Sequence, residues 1–192
     1  MPQKNPQSEI TASLNTARVF FALWPSADLR QGLQRVAEAY ALPCAARVMS
    51  AERLHLTLLY IGEVERARLT TLMQAGGAVS ALPFWLVIDR LACWQHNQIA
   101  YATTQQPLWA LDDLVAALKH AVEAAGFSLA AAEFHAHITL LRKVQYVIEP
   151  QNMQPLRWWV DSFVLVESVG VAAELCYQIL ALWPLVGRKL EA

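Results

Sequence analysis

Two apolar periods run through the chain, and the switches between them mark out its elements. Arg18–Trp24 (RVFFALW) has the β-branched and aromatic content of a short strand. Pro25 and Ser26 end it and open a helix with Asp28 in its first turn. Leu29, Leu33, Val36 and Ala37 then recur at helical spacing. Leu54–Gly62 (LHLTLLYIG) returns to a period of two, with His55, Thr57 and Leu59 alternating against Leu54, Leu56, Leu58 and Tyr60. A helix is expected from about Glu63 to Ala75, ending near the Gly76-Gly77 pair. Leu86–Trp94 and Gln98–Thr104 flank His96-Asn97 and read as a hairpin. Pro107–Ala125 carries Leu111, Leu114, Val115 and Leu118 on one helical stripe, with Pro107 in its first turn and Gly126 as its stop. A strand over Phe134–Lys143, a connector over Glu149–Pro155 and strands near Trp158–Glu167 and Tyr177–Leu182 complete the chain. Strands and helices are mixed throughout, so the fold class is α+β.

One short pattern occurs twice. His55–Leu59 reads HLTLL and His137–Leu141 reads HITLL, each within an expected strand. A single His-x-Thr on a half-exposed strand is ordinarily polar residues facing water. A second copy with the same flanking leucines suggests two related lobes. Residues i and i+2 of a strand share a face, so each copy sets a histidine beside a threonine and turns apolar residues the other way. Two such strands across a cleft would bring two imidazoles and two hydroxyls into one small volume. Imidazoles titrating near neutrality can divide acid and base roles. Threonine hydroxyls can donate to phosphate oxygens as charge builds there. The set suits displacement at phosphorus, one imidazole activating water and the other protonating the departing oxygen. It calls for no metal and no cofactor.

Composition narrows the partners. The chain has 192 residues, 56% of them hydrophobic and 16% charged, with a formal net charge of -1. That is ample material for a core and offers no global positive field to draw in nucleic acid or anionic lipid. A phosphate would have to be held locally. Thr70–Ile88, an apolar run without charge, is broken by Gln74, Gly76-Gly77, Ser80 and Pro83, so no membrane span is expected. Residues 1–16 are polar, contain two prolines and lack the apolar core of a secretory signal, so they read as a flexible tail. Cys44, Cys93 and Cys176 are far apart and form no CxxC pair, which fits free thiols in the cytoplasm.

Beyond the two motifs, the chain resembles the LigT-like family of RNA 2′,3′-cyclic phosphodiesterases (2′-5′ RNA ligase family) within the 2H phosphoesterase superfamily. RVFFALWP resembles the family's opening strand, and AERLHLTLLYIGEV (Ala51–Val64) its first motif block. FHAHITLLRK resembles the second block, and SFVLVES with CYQILALWPL the closing strands. Ala136 stands where the family often has proline. The resemblance implies one bilobal domain over 17–192, with two pseudo-symmetric lobes, each an antiparallel sheet with helices, around a central groove. It implies metal-independent opening of a 2′,3′-cyclic phosphate to a 2′-phosphate, with reversible 2′-5′ ligation in some members. By motif position, His55 would be the general acid and His137 the general base. Thr57 and Thr139 would hold phosphate oxygens, and Arg142 and Tyr177 would contribute to substrate binding. The partners expected are RNA 3′ ends or nucleotides carrying a 2′,3′-cyclic phosphate, bound by a monomer.

Several residues carry competing readings. His135 shares a strand face with His137 if the strand is regular there, which would place it at the groove's rim or, with Glu133, in a metal site. Arg142, at i+5 from His137, falls on the opposite face unless a bulge intervenes. Tyr177 can line the groove or pack in the core. A phosphodiesterase for small cyclic nucleotides, such as ADP-ribose cyclic phosphate, fits the same motifs, as does an RNA-end binding module without turnover.

Overall fold

The computed structural model describes residues 15–131, 133–146, 148–170 and 175–186. Most of the tail expectation, residues 1–14, lies outside them, and Thr16 already belongs to the first strand. That strand, β1 (Thr16–Leu23), is followed by helix α1 (Ala27–Ala41), whose first turn is capped by the Ser26 hydroxyl accepting from the Leu29 amide at 3.3 Å. Then come β2 (Arg47–Val48), β3 (Leu56–Glu65), α2 (Leu69–Gly77), β4 (Phe84–Trp94), β5 (Ile99–Thr103) and α3 (Trp109–Ala124). The chain ends in β6 (Ile138–Arg142), β7 (Gln151–Val160), β8 (Ser162–Val169) and β9 (Cys176–Pro184).

The strands form an antiparallel sheet in the order β7-β4-β5-β6-β3-β1-β8-β9, with β2 also on β6. It falls into two halves, β7-β4-β5-β6 and β3-β1-β8-β9, joined by a single residue pair, Leu56 opposite Ile138. Each half is built on the same unit. A strand (β1 or β5) leads into a helix (α1 or α3), and the chain returns as a motif strand (β3 or β6) paired to the first. The helices cross over: α1 follows β1 but packs on β2, β6 and β7, while α3 follows β5 but packs on β3. α2 lies between α3 and β9. This interlock makes the two lobes one folding unit around a shared core, where Phe21, Leu23, Leu33, Leu56, Leu114 and Ile138 are fully buried.

Several expected elements shift, for physical reasons. The helix expected from Glu63 begins only at Leu69, because β3 runs on to Glu65 in register with β1. Gly62 permits this by adopting φ +90, a conformation that resists other residues, next to a register shift at Ile61. Gly76 has a different reason to be glycine: an added Cβ would lie 2.8 Å from the Trp183 ring that β9 lays on α2. The connector over Glu149–Pro155 is in large part strand β7. Pro155 is tolerated because β7 is an edge strand and the pairing with β4 breaks between Ile88 and Arg90, opposite it. The strand expected over Trp158–Glu167 is two strands that meet at Asp161.

The motif strands share a further irregularity. Along β1, Phe21 faces Leu59 and Ala22 faces Thr57, so Leu58 is an extra residue. Along β5, Ala100 faces Leu141 and Tyr101 faces Thr139, so Leu140 is an extra residue. Both copies therefore bulge after the threonine. Strict alternation would expose one leucine of each pair, yet Leu58 and Leu59 are 2% and 8% exposed and Leu140 and Leu141 are both 0% exposed.

Candidate active site

The pair Leu56–Ile138 sits at the centre of both motifs, and both side chains point into the core. Their flanking residues therefore point the opposite way, into the groove. In an antiparallel register, His55 lies across from Thr139 and Thr57 across from His137. Together with Tyr60 and Arg142 they line a hollow of about 190 Å³.

The bulges decide who else reaches it. Arg142 is returned to the groove face by the extra residue at Leu140, so the i+5 spacing does not exclude it. Tyr60 stands at the same position after His55 and is likewise turned into the hollow, whereas plain alternation assigns it to the apolar face. Tyr177 also lines the hollow. His135 does not share His137's environment. The strand starts only at Ile138, and His135 lines a separate cavity beside Thr103–Asp112, its Nε2 4.0 Å from the Glu133 carboxylate. Its backbone is what matters: the His137 Nδ1–H donates to the His135 carbonyl at 2.7 Å. Among the described residues, no three His, Cys, Asp or Glu side chains cluster closely enough to hold a metal ion.

His55 is held the same way, its Nδ1–H donating to the Arg53 carbonyl at 2.8 Å. A carbonyl only accepts, so Nδ1 carries the proton in both rings and Nε2 is the free nitrogen of each neutral imidazole. The two rings are bedded in aromatic side chains. Trp24 stacks on His55 at 5.6 Å and 10°, Phe20 lies at 4.9 Å and Tyr177 meets it edge-on at 5.0 Å. Trp94 and Tyr101 meet His137 edge-on at 4.7 and 5.9 Å. Beneath His55 a small second core of Phe20, Ala22, Val164 and Val166 faces the groove.

Burial pushes His55 down from the ordinary imidazole range to about 4, and the nearby charges of His137, Arg142 and Arg53 act in the same direction against the Arg53 carbonyl bond. His137 is also lowered, first by burial and then by His135 and Arg142, with the His135 carbonyl opposing. The hollow therefore holds two neutral imidazoles next to a guanidinium. Bound anion would reverse the Coulombic part and restore proton affinity. Neither the Thr57 nor the Thr139 hydroxyl has a hydrogen-bond partner among the described residues. The arrangement can hold an anion and move protons at two opposed nitrogens.

Sequence reasoning did not anticipate Arg53, Tyr60, Trp24, Trp94 and Tyr101 around the site. Trp24, closing RVFFALW, carries a signal: the chain is apolar at every position from Val19 to Trp24, as in a strand buried on both faces.

Comparison with known proteins agrees with this geometry. Residues 23–101, spanning the first motif, match the family profile described as LigT like Phosphoesterase. The RNA 2′,3′-cyclic phosphodiesterase of Escherichia coli (strain K12) is 28% identical over 169 residues, which cover 88% of this chain and 96% of that protein. The crystal structure of E. coli LigT complexed with 3′-AMP superposes with a TM-score of 0.79 at 27% identity, over 88% of this chain and 98% of that one. A crystal structure from Thermus thermophilus has a TM-score of 0.76 at 22% identity, over 90% and 100% of the two chains, and shares the fold. With its duplicated motif strands meeting in one groove, the chain is similar in sequence and in fold to the LigT-like phosphoesterases.

Proposed function

We propose that the protein opens 2′,3′-cyclic phosphate at RNA 3′ ends to a 2′-phosphate, using His55 and His137 as its acid–base pair. The observation that carries this reading is the meeting of the two motifs at Leu56–Ile138, which faces each histidine with the other motif's threonine. The cyclic phosphate sits between Thr57 and Thr139, whose hydroxyls donate to its non-bridging oxygens, with Arg142 neutralising its charge. Nε2 of neutral His137 takes a proton from water as the water oxygen attacks phosphorus. The bond to the 3′ oxygen breaks, and protonated His55 gives that oxygen its Nε2 proton. His137 ends protonated and His55 neutral, and solvent exchange resets the pair. With a 5′ hydroxyl in place of water, the same groups in the same roles make a 2′-5′ bond, and in the reverse of that step, attack by the 3′ hydroxyl, they exchange roles.

The phosphate supplies the charge that the hollow itself lacks. Its negative charge offsets Arg142 and lifts the proton affinity of both imidazoles, so the proton arrives when substrate does. Tyr177, edge-on to His55, holds the ring and walls the nucleoside side. All these groups come from one chain, which supports action as a monomer. Cytoplasmic residence belongs to the same proposal; among the described residues no helix is long and apolar enough to cross a membrane.

The test is hydrolysis of a mononucleoside 2′,3′-cyclic phosphate with and without EDTA, with the product isomer identified. The expected product is the 2′-phosphate at a rate indifferent to the chelator. A 3′-phosphate product, or full loss of activity with EDTA restored by metal, overturns the mechanism.

A further inference from the structure

The hollow at the histidines is too small for a whole nucleotide. At about 190 Å³ it lies below the usual several hundred cubic ångströms of a ligand pocket, whereas the cavity next to it measures about 540 Å³. The two share Met49, Arg53 and Tyr177, so they are compartments of one groove. The larger is walled by Val48, Met49, Leu175 and Cys176, and carries Arg47 and Arg53, with Glu52 and Ser50 on the same wall.

Arg47 and Arg53 line the larger compartment and Arg53 and Arg142 the hollow, and no carboxylate among the described residues pairs with any of the three. Arg142 in the hollow is the direct cross-strand neighbour of Arg47, on β2 beside β6. Like charges directly opposite on neighbouring strands disfavour the pairing. Arg53 stands between the two compartments, its guanidinium 5.7 Å over the Tyr177 ring. Its Nε is buried, with no hydrogen-bond partner. A buried donor left unmet costs free energy.

We infer that this second compartment is a subsite for the phosphodiester one nucleoside before the cyclic phosphate, held by Arg47 and Arg53, which makes an RNA chain end the substrate rather than a free cyclic mononucleotide. The inference rests on the proposed phosphodiesterase reading and adds the substrate's length to it. Arg142 takes the reacting phosphate, and the intervening nucleoside lies against Tyr177 and Met49. Arg47 and Arg53 take the next phosphate. The protein's net charge of -1 is then no obstacle, because the positive charge is concentrated on one wall.

The experiment compares kcat/KM for a mononucleoside 2′,3′-cyclic phosphate with that for a dinucleotide ending in the same cyclic phosphate. The wild type should favour the dinucleotide by about 10-fold or more, mostly through KM, and the advantage should shrink as salt rises. Arg47→Gln and Arg53→Gln should each bring the ratio toward one. A wild-type ratio near one, or a ratio kept by both variants, overturns the subsite. An advantage seen only with ADP-ribose cyclic phosphate, whose second phosphate is a pyrophosphate, overturns the RNA assignment. If neither substrate is hydrolysed, the catalytic reading has failed, and calorimetry still decides the subsite. A dinucleotide with a plain 3′-phosphate should bind the wild type more tightly than Arg47→Gln, and equal affinities overturn it.

Discussion

The lowered proton affinity of His55 ties the site's chemistry to the protein's stability, and acidification exposes the link. In the unfolded chain this imidazole titrates near 6.5, and in the folded protein burial takes it down to about 4. Between those values the unfolded state binds a proton that the native state refuses, so stability falls as pH drops through this window. Above 6.5 both states are neutral and the contribution is complete. A shift of this size is worth at most about 3 kcal/mol, and about 2 kcal/mol once the ring edge facing the groove is discounted for contact with water. Urea unfolding at pH 7.5 and pH 4.5 should therefore show a loss about 2 kcal/mol larger in wild type than in His55→Gln, which keeps a polar side chain but cannot titrate there. The same ring, followed by NMR, should titrate well below pH 6 in the free protein and move upward when inorganic phosphate is added. A free-protein midpoint at or above 6.5, or an identical acid loss in His55→Gln, would refute the reasoning.

Other consequences are quicker to test. Because both histidines are lowered in the free protein, the bell of log kcat/KM against pH should centre below about pH 6.5, while that of kcat, reporting the anion-bound state, should sit higher. Coincident optima, or a flat profile between pH 5 and 8, would count against a two-histidine mechanism. His55→Ala and His137→Ala should each lose about 10²–10⁴-fold in kcat. His135→Ala should lose little, since its side chain lines a separate cavity and the backbone carbonyl that holds His137 is kept; equal damage at His135 and His137 would reverse that assignment. Leu140→Ala should cost about 2–5 kcal/mol in thermal or urea unfolding, because the side chain is fully buried, whereas Leu140→Met, which keeps the bulge filled, should cost less than about 1.5 kcal/mol.

What the sequence disclosed and what it hid come from the same five residues. His-x-Thr at spacing two was enough to put an imidazole and a hydroxyl on one face, and its repetition was enough to suggest two lobes around one site. Ordinary alternation through the two leucines that follow would send Tyr60 to the core and leave Arg142 ambiguous. A bulge has no residue signature of its own here. It exists because the partner strands, β1 and β5, offer one residue fewer than the motif strands, and that is a long-range fact. Gly62 and Pro155 mislead for a related reason: each marks an irregularity inside a strand, whereas the sequence pattern ends a strand at Gly62 and places Pro155 in a connector. The aromatic bed around His55 is hidden in large part, because Phe20 and Tyr177 come from β1 and β9, with Trp24 just past the end of β1, and only β8 lies between the two strands in the sheet. Once the bulge is known, the doubled leucine becomes intelligible. The first leucine is the extra residue, both leucines fill the core, and the residue after them is returned to the groove face. On the proposed reading, the His-x-Thr of each motif supplies the proton and hydrogen-bond chemistry. The Leu-Leu supplies the turn of register that brings a fifth residue, Tyr60 in one lobe and Arg142 in the other, to the same hollow. The two lobes are alike in their backbone device and differ in what it delivers, a phenol on one side and a guanidinium on the other. On the proposed reading, that difference gives the otherwise symmetric site a direction in which to bind a phosphate.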